Sequence, residues 1–192
     1  HWPDVNTPLE ETADTLKELK KAGKIRFSGI SNFEDNNLEK LYDLDVLDVI
    51  QFPYSMVNRS QEQLLKKYHE KGVATMGYGS LGAGILTGSI RELPHFEPGD
   101  ARLGFYDFFV EPKFSRVMEL LEVLDDIALK RQVPVAQVTI NWTVQHNFIN
   151  TSLTGVRNAR EAVENTAAMA WKLTADEIHK IDQAVAQLDS LS

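Results

Sequence analysis

Apolar residues follow a helical period in some segments of the chain and form short continuous runs in others. The first helical segment opens at Thr7 and Pro8, which have the residue types of an N-cap and a first helical position, and Gly23 ends it. Ser60 and Gly72 mark the start and the end of a later helix in the same way. The pattern predicts seven helices, over residues 8–22, 34–43, 60–72, 113–131, 134–146, 158–169 and 174–188.

Four mostly apolar runs predict buried strands, at residues 25–30, 46–52, 73–78 and 148–154. Strands that alternate with helices of this length form βα units and a parallel sheet. A doubly wound sheet and a (β/α)8 barrel both satisfy the alternation. Residues 79–112 carry Gly, Pro and aromatic residues without a clear period, and a loop of that length is usually functional or mobile.

Composition narrows the class of protein. The 192 residues are 43% apolar and 25% charged, which predicts one folded domain over 1–192. The net charge of −8 disfavours nucleic acid and anionic membranes as partners. The absence of Cys excludes disulfides, cysteine zinc sites and cysteine nucleophiles. No run approaches the roughly 18 consecutive apolar residues of a membrane span, and the cytoplasm is the expected location.

Polar residues and glycines follow each predicted strand, where both candidate folds bind their ligands. They are Ser31 and Asn32 after the first strand, Gln51, Tyr54 and Asn58 at the second, Tyr78, Gly79, Ser80, Leu81 and Gly82 at the third, and Gly155, Arg157 and Asn158 after the fourth. Glycines allow the backbone to approach a phosphate closely, and an arginine at a helix N-terminus suits an anion.

Each of these residues also has an ordinary structural interpretation. Ser31 and Asn32 have the pattern of an N-cap, Tyr78 has that of a core residue, and Arg157 has that of a solvated surface residue. The four histidines after position 1 lack the spacing of metal ligands, so we expect no metal site. One polar cluster at every strand end, however, is difficult to obtain by chance and favours a shared ligand.

The ordered set of polar residues and glycines at the strand ends resembles the aldo-keto reductase family, whose members are NAD(P)H-dependent carbonyl reductases on a (β/α)8 barrel. The matching stretches cover essentially the whole chain and are HWPD, LKELKKAGKIRFSGISNF, DVIQFPYSMVNR, GYGSLGAGILTG and TGVRNAREAVENTAAMAWKL. The segment with Gly99, Asp100 and Arg102 resembles the loop that folds over the cofactor in the bacterial and potassium-channel-β-like branches. The resemblance implies a partial barrel that lacks about the first three βα units.

The resemblance also implies roles for individual residues. His1 matches the active-site histidine that orients the substrate carbonyl, and Tyr78 matches the tyrosine that stacks on the nicotinamide. The other matches are to the contacts of the carboxamide (Ser31, Asn32, Gln51), of the pyrophosphate (Gly79, Ser80, Leu81, Gly82), of the adenosine phosphate (Gly155, Val156, Arg157) and of adenine (Glu164, Asn165). Arg160 lies close enough to Arg157 to compete for a 2′-phosphate, so NADP(H) is favoured over NAD(H).

The chain departs from the family pattern at its start. The family's catalytic tyrosine, with its supporting lysine and aspartate, lies upstream of the position of His1, and neither Tyr54 nor Tyr78 sits in that motif. Because the first residue is His rather than Met, we expect a cleaved protein or a fragment. The parent protein is therefore expected to reduce small aldehydes or ketones, whereas the chain alone is expected to be inactive.

Three other interpretations stay open. A cofactor-binding regulatory subunit, resembling potassium-channel β subunits, needs the same contacts with little turnover. An unrelated phosphate-binding barrel, such as an isomerase or aldolase, needs a catalytic Lys or Glu at a strand end, and no convincing one is present. A remnant of a disrupted gene needs no activity at all.

Overall fold

The protein is described here from a computed structural model, for residues 1–100, 102 and 104–189. Within these residues, seven α-helices alternate with four strands. The strands are β1 (Gly29–Ser31), β2 (Val49–Pro53), β3 (Ala74–Tyr78) and β4 (Thr151–Leu153). The helices are α1 (Leu9–Lys21), α2 (Asp35–Asp43), α3 (Glu62–Glu70), α4 (Lys113–Arg131), α5 (Val135–Gln145), α6 (Ala159–Thr166) and α7 (Ala175–Asp189).

The four strands form one parallel sheet in the order β1-β2-β3-β4. A sheet whose strands follow one another in chain order fits a partial (β/α)8 barrel, whereas a doubly wound sheet reverses its order at a switch point. The register pairs Ser31 with Gln51 and Pro53 with Tyr78. The polar residues at the carboxyl ends of the first three strands are therefore neighbours at one edge of the sheet.

The two faces of the sheet differ in burial. Ile30, Ile50 and Phe52 are buried on one face, and α3 packs against β2 and β3. On the other face of β2 and β3, Gln51 and Met76 are only half-buried. The alternation follows from the period of two along a strand. One face therefore carries the apolar core, while the other stays accessible to a ligand.

The C-terminal helices build a second part of the same core. α4 packs against α5 and α7 through fully buried leucines and branched residues, among them Leu121, Leu124 and Ile181. Two polar contacts also join these helices. The Trp142 indole of α5 donates to Asp182 of α7 (2.8 Å), and Arg131 of α4 pairs with Glu177 of α7. No helix in the described ranges combines the length and the apolar character that crossing a bilayer requires.

Several local predictions from the sequence are wrong, and β2 and β4 begin later than predicted, at Val49 and Thr151. The first strand begins at Gly29 rather than at residue 25, because Phe27 is 68% exposed and only Gly29–Ser31 pair with β2. Thr7 does not cap α1, since its hydroxyl donates to Asp4 and Pro8 holds the cap position. Ser60 does not cap α3 either, because its hydroxyl donates to the Asn58 side chain.

The long segment after β3 has little regular structure. Its described residues form two short 3-10 turns, Gly82–Thr87 and Asp107–Phe109, and no α-helix before α4. Phe108 and Phe109 are buried and anchor the second turn on the core, where Asp107–Phe109 packs against α4. Residues 101 and 103, which belong to the same predicted loop, lie outside the described residues.

Candidate functional site

A cavity of about 510 Å³ opens at the carboxyl ends of the first three strands. Its wall is largely apolar and aromatic, and a few amides and glycines interrupt it. Residues that border it include Trp2, Asn32, Phe33, Tyr54, Asn58, Gln61, Tyr78, Gly79, Gly82, Phe105 and Tyr106. A mostly apolar concave pocket with a few polar groups is typical of a small-molecule site.

Asn32 joins two other candidate residues at this cavity. Its amide oxygen accepts a hydrogen bond from the Tyr78 hydroxyl (3.0 Å), and its amide nitrogen donates to the main-chain oxygen of His1 (3.1 Å). The backbone of Asn32 is left-handed, with φ of 61°, a conformation that Asn adopts more readily than most residues. The side chain of Asn32 therefore contacts both the Tyr78 hydroxyl and the main chain of His1.

Ser31 and Asn32 are not an N-cap, which corrects one sequence interpretation. The cap position of α2 belongs to Glu34. The Ser31 hydroxyl instead donates to the main-chain oxygen of Gln51 (2.9 Å), its partner in the sheet register. Gln51 is half-buried on the accessible face. The three residues predicted to hold a carboxamide are thus adjacent at the end of β1 and the middle of β2, and of the three only Asn32 borders the cavity.

Tyr78 is half-buried rather than a core residue, and it borders the cavity. Its main-chain oxygen accepts a hydrogen bond from the Tyr54 nitrogen (3.0 Å). Burial, and secondarily the charge of Tyr106, raises the pKa of the Tyr78 hydroxyl above its ordinary value. The hydroxyl is therefore protonated near neutral pH and is the donor in its bond to Asn32.

The segment Gly79, Ser80, Leu81 and Gly82 turns sharply after β3. Gly79 and Gly82 have φ of 70° and 55°, which favour glycine, and a Cβ at Gly82 would stand 2.9 Å from the Val57 side chain. The Ser80 hydroxyl is buried against the Ser152 hydroxyl at 2.7 Å. Ser80 can therefore serve a ligand at this turn only through its backbone.

The candidates at the start of α6 form a separate, exposed group. Gly155, Val156 and Arg157 precede Asn158, whose side chain caps the helix by accepting from the Glu161 nitrogen (2.9 Å). Val156 also borders a second cavity of about 520 Å³ beside β4, as does the candidate Asn165.

Both arginines of this group pair with carboxylates of their own helix. Arg157, 89% exposed, bonds Glu161 at 2.7 Å, and Arg160, 85% exposed, bonds Glu164 at 2.7 Å. The guanidinium of Arg157 holds the pKa of the Glu161 carboxyl below its usual range. Any anion that approaches either arginine must compete with a carboxylate already in place.

The aromatic wall of the first cavity was not predicted from the sequence. Trp2, Phe33, Phe105 and Tyr106 border it, although none was assigned to the site. The aromatic residues of the segment 79–112 were the available signal, but nothing in the sequence shows where a loop folds back. Among the residues that the structure describes, no group of three His, Asp or Glu side chains is placed to hold a metal ion.

A sequence model described as "Aldo/keto reductase family" matches residues 1–186. The chain belongs to this family. All the residues predicted for the site fall within the match. The chain spans about half the length of the curated relatives that it matches.

Curated aldo/keto reductases of known name resemble the chain over most of its length. It is 32% identical to "Aldo-keto reductase YhdN" of Bacillus subtilis (strain 168) over 179 residues, which are 92% of this chain and 54% of the relative. It is 30% identical to the "NADH-specific methylglyoxal reductase" of Escherichia coli (strain K12), covering 91% of this chain and 54% of the relative.

A solved family structure superimposes closely on the chain. The glycerol dehydrogenase AKR11B4 from Gluconobacter oxydans has a TM-score of 0.88 at 29% identity, with 97% of this chain and 57% of that chain covered. The thermostable aldo-keto reductase Tm1743 has a TM-score of 0.70 at 22% identity, which shows the shared fold alone. The four-stranded sheet is thus part of an aldo/keto reductase barrel.

Proposed function

We propose that the whole protein reduces aldehydes or ketones to alcohols with NADPH or NADH. The bond between Tyr78 and Asn32 at the cavity carries the proposal, because it joins the predicted contacts of the nicotinamide ring and of its carboxamide, and Asn32 also holds the main chain of His1. Together with the family match, this contact favours a reductase over the isomerase and aldolase interpretations. We further infer a small-molecule substrate, no nucleic-acid or membrane partner, and a cytoplasmic location.

The residues at the cavity fit a nicotinamide. The half-exposed Tyr78 ring offers a flat apolar face, which suits an aromatic ring. Asn32 uses one amide hydrogen in its bond to His1 and one oxygen lone pair in its bond to Tyr78, and it keeps one of each for a carboxamide. Gln51 supplies a second amide on the accessible face. When bound, the reduced cofactor supplies the hydride that the reaction needs.

The remaining candidate residues suit the pyrophosphate and adenosine parts of a dinucleotide. The backbone of the turn Gly79 to Gly82 suits the pyrophosphate, and the start of α6 suits the adenosine phosphate. Glu164 and Asn165 would contact the adenine. We propose NADP(H) over NAD(H) because of Arg157 and Arg160, although a 2′-phosphate must displace their glutamates. One relative is named as NADH-specific, which makes the preference the point to test first.

The reaction needs a proton donor besides the hydride. Negative charge grows on the carbonyl oxygen during reduction, and a positioned acid typically contributes ~10²–10⁴-fold in rate. His1, next in the chain to Trp2 of the cavity wall, would orient that oxygen. No tyrosine of this chain matches the family's acid motif, and we propose that the acid, lysine and aspartate of the whole protein lie upstream.

Turnover of the whole protein tests the function. The absorbance of the reduced nicotinamide is followed with NADPH or NADH and a series of aldehydes and ketones, and steady oxidation is expected. Tight cofactor binding without turnover would instead favour the regulatory-subunit interpretation. Absence of both would contradict the proposal.

Arg157→Ala tests the cofactor preference. It is expected to weaken the binding of NADPH more than that of NADH, because only NADPH carries the 2′-phosphate. Arg116→Ala is the matched control, since Arg116 is another exposed arginine paired within its helix, on α4. Equal losses for both cofactors would remove Arg157 from the 2′-phosphate site.

A further inference from the structure

We propose that the hydrogen bond from the Tyr78 hydroxyl to the Asn32 amide positions the Tyr78 ring as the surface against which the nicotinamide packs. The hydroxyl is then a positioning group, and Asn32 has a second role besides holding the carboxamide. This inference rests on the proposed function, because it concerns how the same site binds its cofactor.

The bond spans the carboxyl end of an intervening strand. Asn32 follows β1 and Tyr78 ends β3, while β2 lies between them in the sheet. The two side chains therefore reach toward each other across the end of β2, next to the predicted carboxamide contact Gln51. A bond that ties two non-adjacent strands fixes the far end of the tyrosine ring above the site.

The near end of the ring is fixed by the backbone. The Tyr78 main-chain oxygen accepts from the Tyr54 nitrogen at 3.0 Å, and Tyr54 itself is 1% exposed and stacked on Trp142. A tyrosine ring held only at its Cα end still turns about its side-chain bonds. With the hydroxyl held as well, the axis of the ring from Cβ to the hydroxyl oxygen keeps one direction, so less side-chain freedom is lost when a ligand packs on the ring.

The bond is compatible with a bound carboxamide. An asparagine side chain has two donor hydrogens and two acceptor lone pairs. Tyr78 takes one lone pair and the His1 carbonyl takes one hydrogen. One lone pair and one hydrogen of Asn32 stay free, and they can accept from the NH2 group and donate to the oxygen of a carboxamide. Asn32 can therefore keep the tyrosine in place while it binds the cofactor.

The left-handed backbone of Asn32 is explained by the same role. A positive φ costs free energy in a residue with a side chain and persists where surrounding contacts impose it. Here both polar atoms of the side-chain amide are held: the oxygen accepts from Tyr78 of β3, and the nitrogen donates to His1 at the start of the chain. The conformation aims the amide at the strand ends rather than at α2.

Tyr78→Phe in the whole protein tests the inference, because it keeps the ring and removes the hydroxyl. The Kd for NADPH, measured by titration of nicotinamide fluorescence, is expected to rise about three- to tenfold, the worth of one net hydrogen bond. The thermal unfolding midpoint is expected to stay near that of the control Tyr42→Phe. Tyr42 also loses one hydroxyl bond, to the Lys71 carbonyl at 3.3 Å, but lies outside the cavity.

Asn32→Gly provides the second arm, since glycine accepts the left-handed backbone and removes the amide. In that background, Tyr78→Phe is expected to add no further loss of NADPH affinity. A wild-type Kd for Tyr78→Phe, or losses that multiply in the double variant, would overturn the inference while leaving the proposed function intact. If the wild-type protein binds neither NADPH nor NADH, the proposed function fails as well.

Discussion

The imidazole of His146 lies in an aromatic enclosure at the end of α5. Trp142, Phe148 and Tyr54 surround it with ring centroids at 4.4, 5.2 and 5.8 Å. Its Nε2 atom is buried without a hydrogen-bond partner. Burial is the main cause that lowers the pKa of His146 from its ordinary 6.5, so the neutral ring is the form that the fold accommodates.

Stability should therefore depend on pH through His146. Asp182 and Glu62 act to raise its pKa while Lys66 and Arg59 lower it, and the net direction is down. A base with a depressed folded pKa binds its proton more readily when unfolded, so stability is complete above about pH 6.5 and is lost as the pH falls. Urea unfolding of the whole protein is expected to show this loss.

The control for this effect is His146→Phe, which keeps an aromatic ring but cannot be protonated. Its free energy of unfolding is expected to vary less between pH 7.5 and pH 5 than that of the wild type. His69→Phe is the matched variant, because His69 is a partly exposed histidine on a different helix, α3. The same dependence of unfolding free energy on pH in wild type and His146→Phe would show that other groups cause the loss of stability at low pH.

Glu161 is the residue that decides whether Arg157 can serve a phosphate. Its carboxylate accepts from both the guanidinium and the main-chain nitrogen of Arg157. Glu161→Gln removes the competing charge, so NADPH affinity is expected to rise relative to NADH affinity. Asp126→Asn is the control, since it breaks a similar i,i+4 pair with Lys130 on α4. An unchanged ratio of the two Kd values would show that no 2′-phosphate reaches Arg157.

At the scale of single residues, the types of residue at the site were easier to predict than their hydrogen-bond partners. The position of Asn32 after a strand was visible in the sequence, but the same dipeptide with Ser31 is also an ordinary helix cap. What decides between them is Tyr78, 46 residues later, whose hydroxyl bonds Asn32. Such contacts depend on strand order and register, which no local pattern contains.

The start of α7 shows what a helix terminus contributes to the fold. Thr174 and Glu177 form a reciprocal cap, in which each side chain accepts from the other's main-chain nitrogen (3.3 and 2.7 Å). Glu177 also accepts from Arg131 of α4 at 2.8 Å. These bonds, with the Arg131 guanidinium first, hold the pKa of Glu177 at about 2. One carboxylate thus caps α7 and joins it to α4.

Glu177→Ala is expected to cost about 1–2 kcal/mol of unfolding free energy, the usual cost of a lost cap, as measured by urea unfolding. Asp176→Ala is the control, because Asp176 is an exposed acid in the same first turn. Because the folded pKa is depressed, the contribution of Glu177 is present above pH 4.5 and is lost as the pH falls toward 2. An equal loss of unfolding free energy in both variants would assign the effect of Glu177 to the helix dipole rather than to its cap.

Element boundaries could be predicted where one local signal dominates. The last helix begins after Thr174 as expected, since its cap is local in sequence. The first strand was predicted too long, because the apolar residues of 25–30 suggested continuous burial. Arg26 and Phe27 are in fact exposed, and Ser28 instead bonds the Asp48 side chain before β2. Pairing with β2, rather than hydrophobicity, determines where β1 starts.

At the scale of the molecule, strand–helix alternation predicted the parallel sheet, but not the choice between a barrel and an open sheet. The sequential strand order, the buried face under α3 and the half-buried face with Gln51 and Met76 distinguish them. These features depend on which helix covers which face. The family resemblance, rather than periodicity, therefore supplied the barrel before the structure did.

The open sheet carries a prediction about the chain on its own. In the described residues, β1 pairs only with β2 and β4 only with β3, so each has one edge without a strand partner. Unpaired strand edges beside a half-buried face favour pairing with other chains. The 192-residue chain, expressed alone, is therefore expected to form oligomers or aggregates in size-exclusion chromatography with light scattering, and to show no carbonyl reduction.

The whole protein is the control for this prediction, because additional strands would cover both edges and the accessible face. A (β/α)8 barrel needs eight strands and about 250 residues, and closure leaves no free edge. The whole protein is expected to elute without such aggregates and to turn over its substrate. A monomeric 192-residue chain that unfolds cooperatively in urea would show that the half-buried face is stable in water, and steady turnover by it would show that the proton donor lies within these residues.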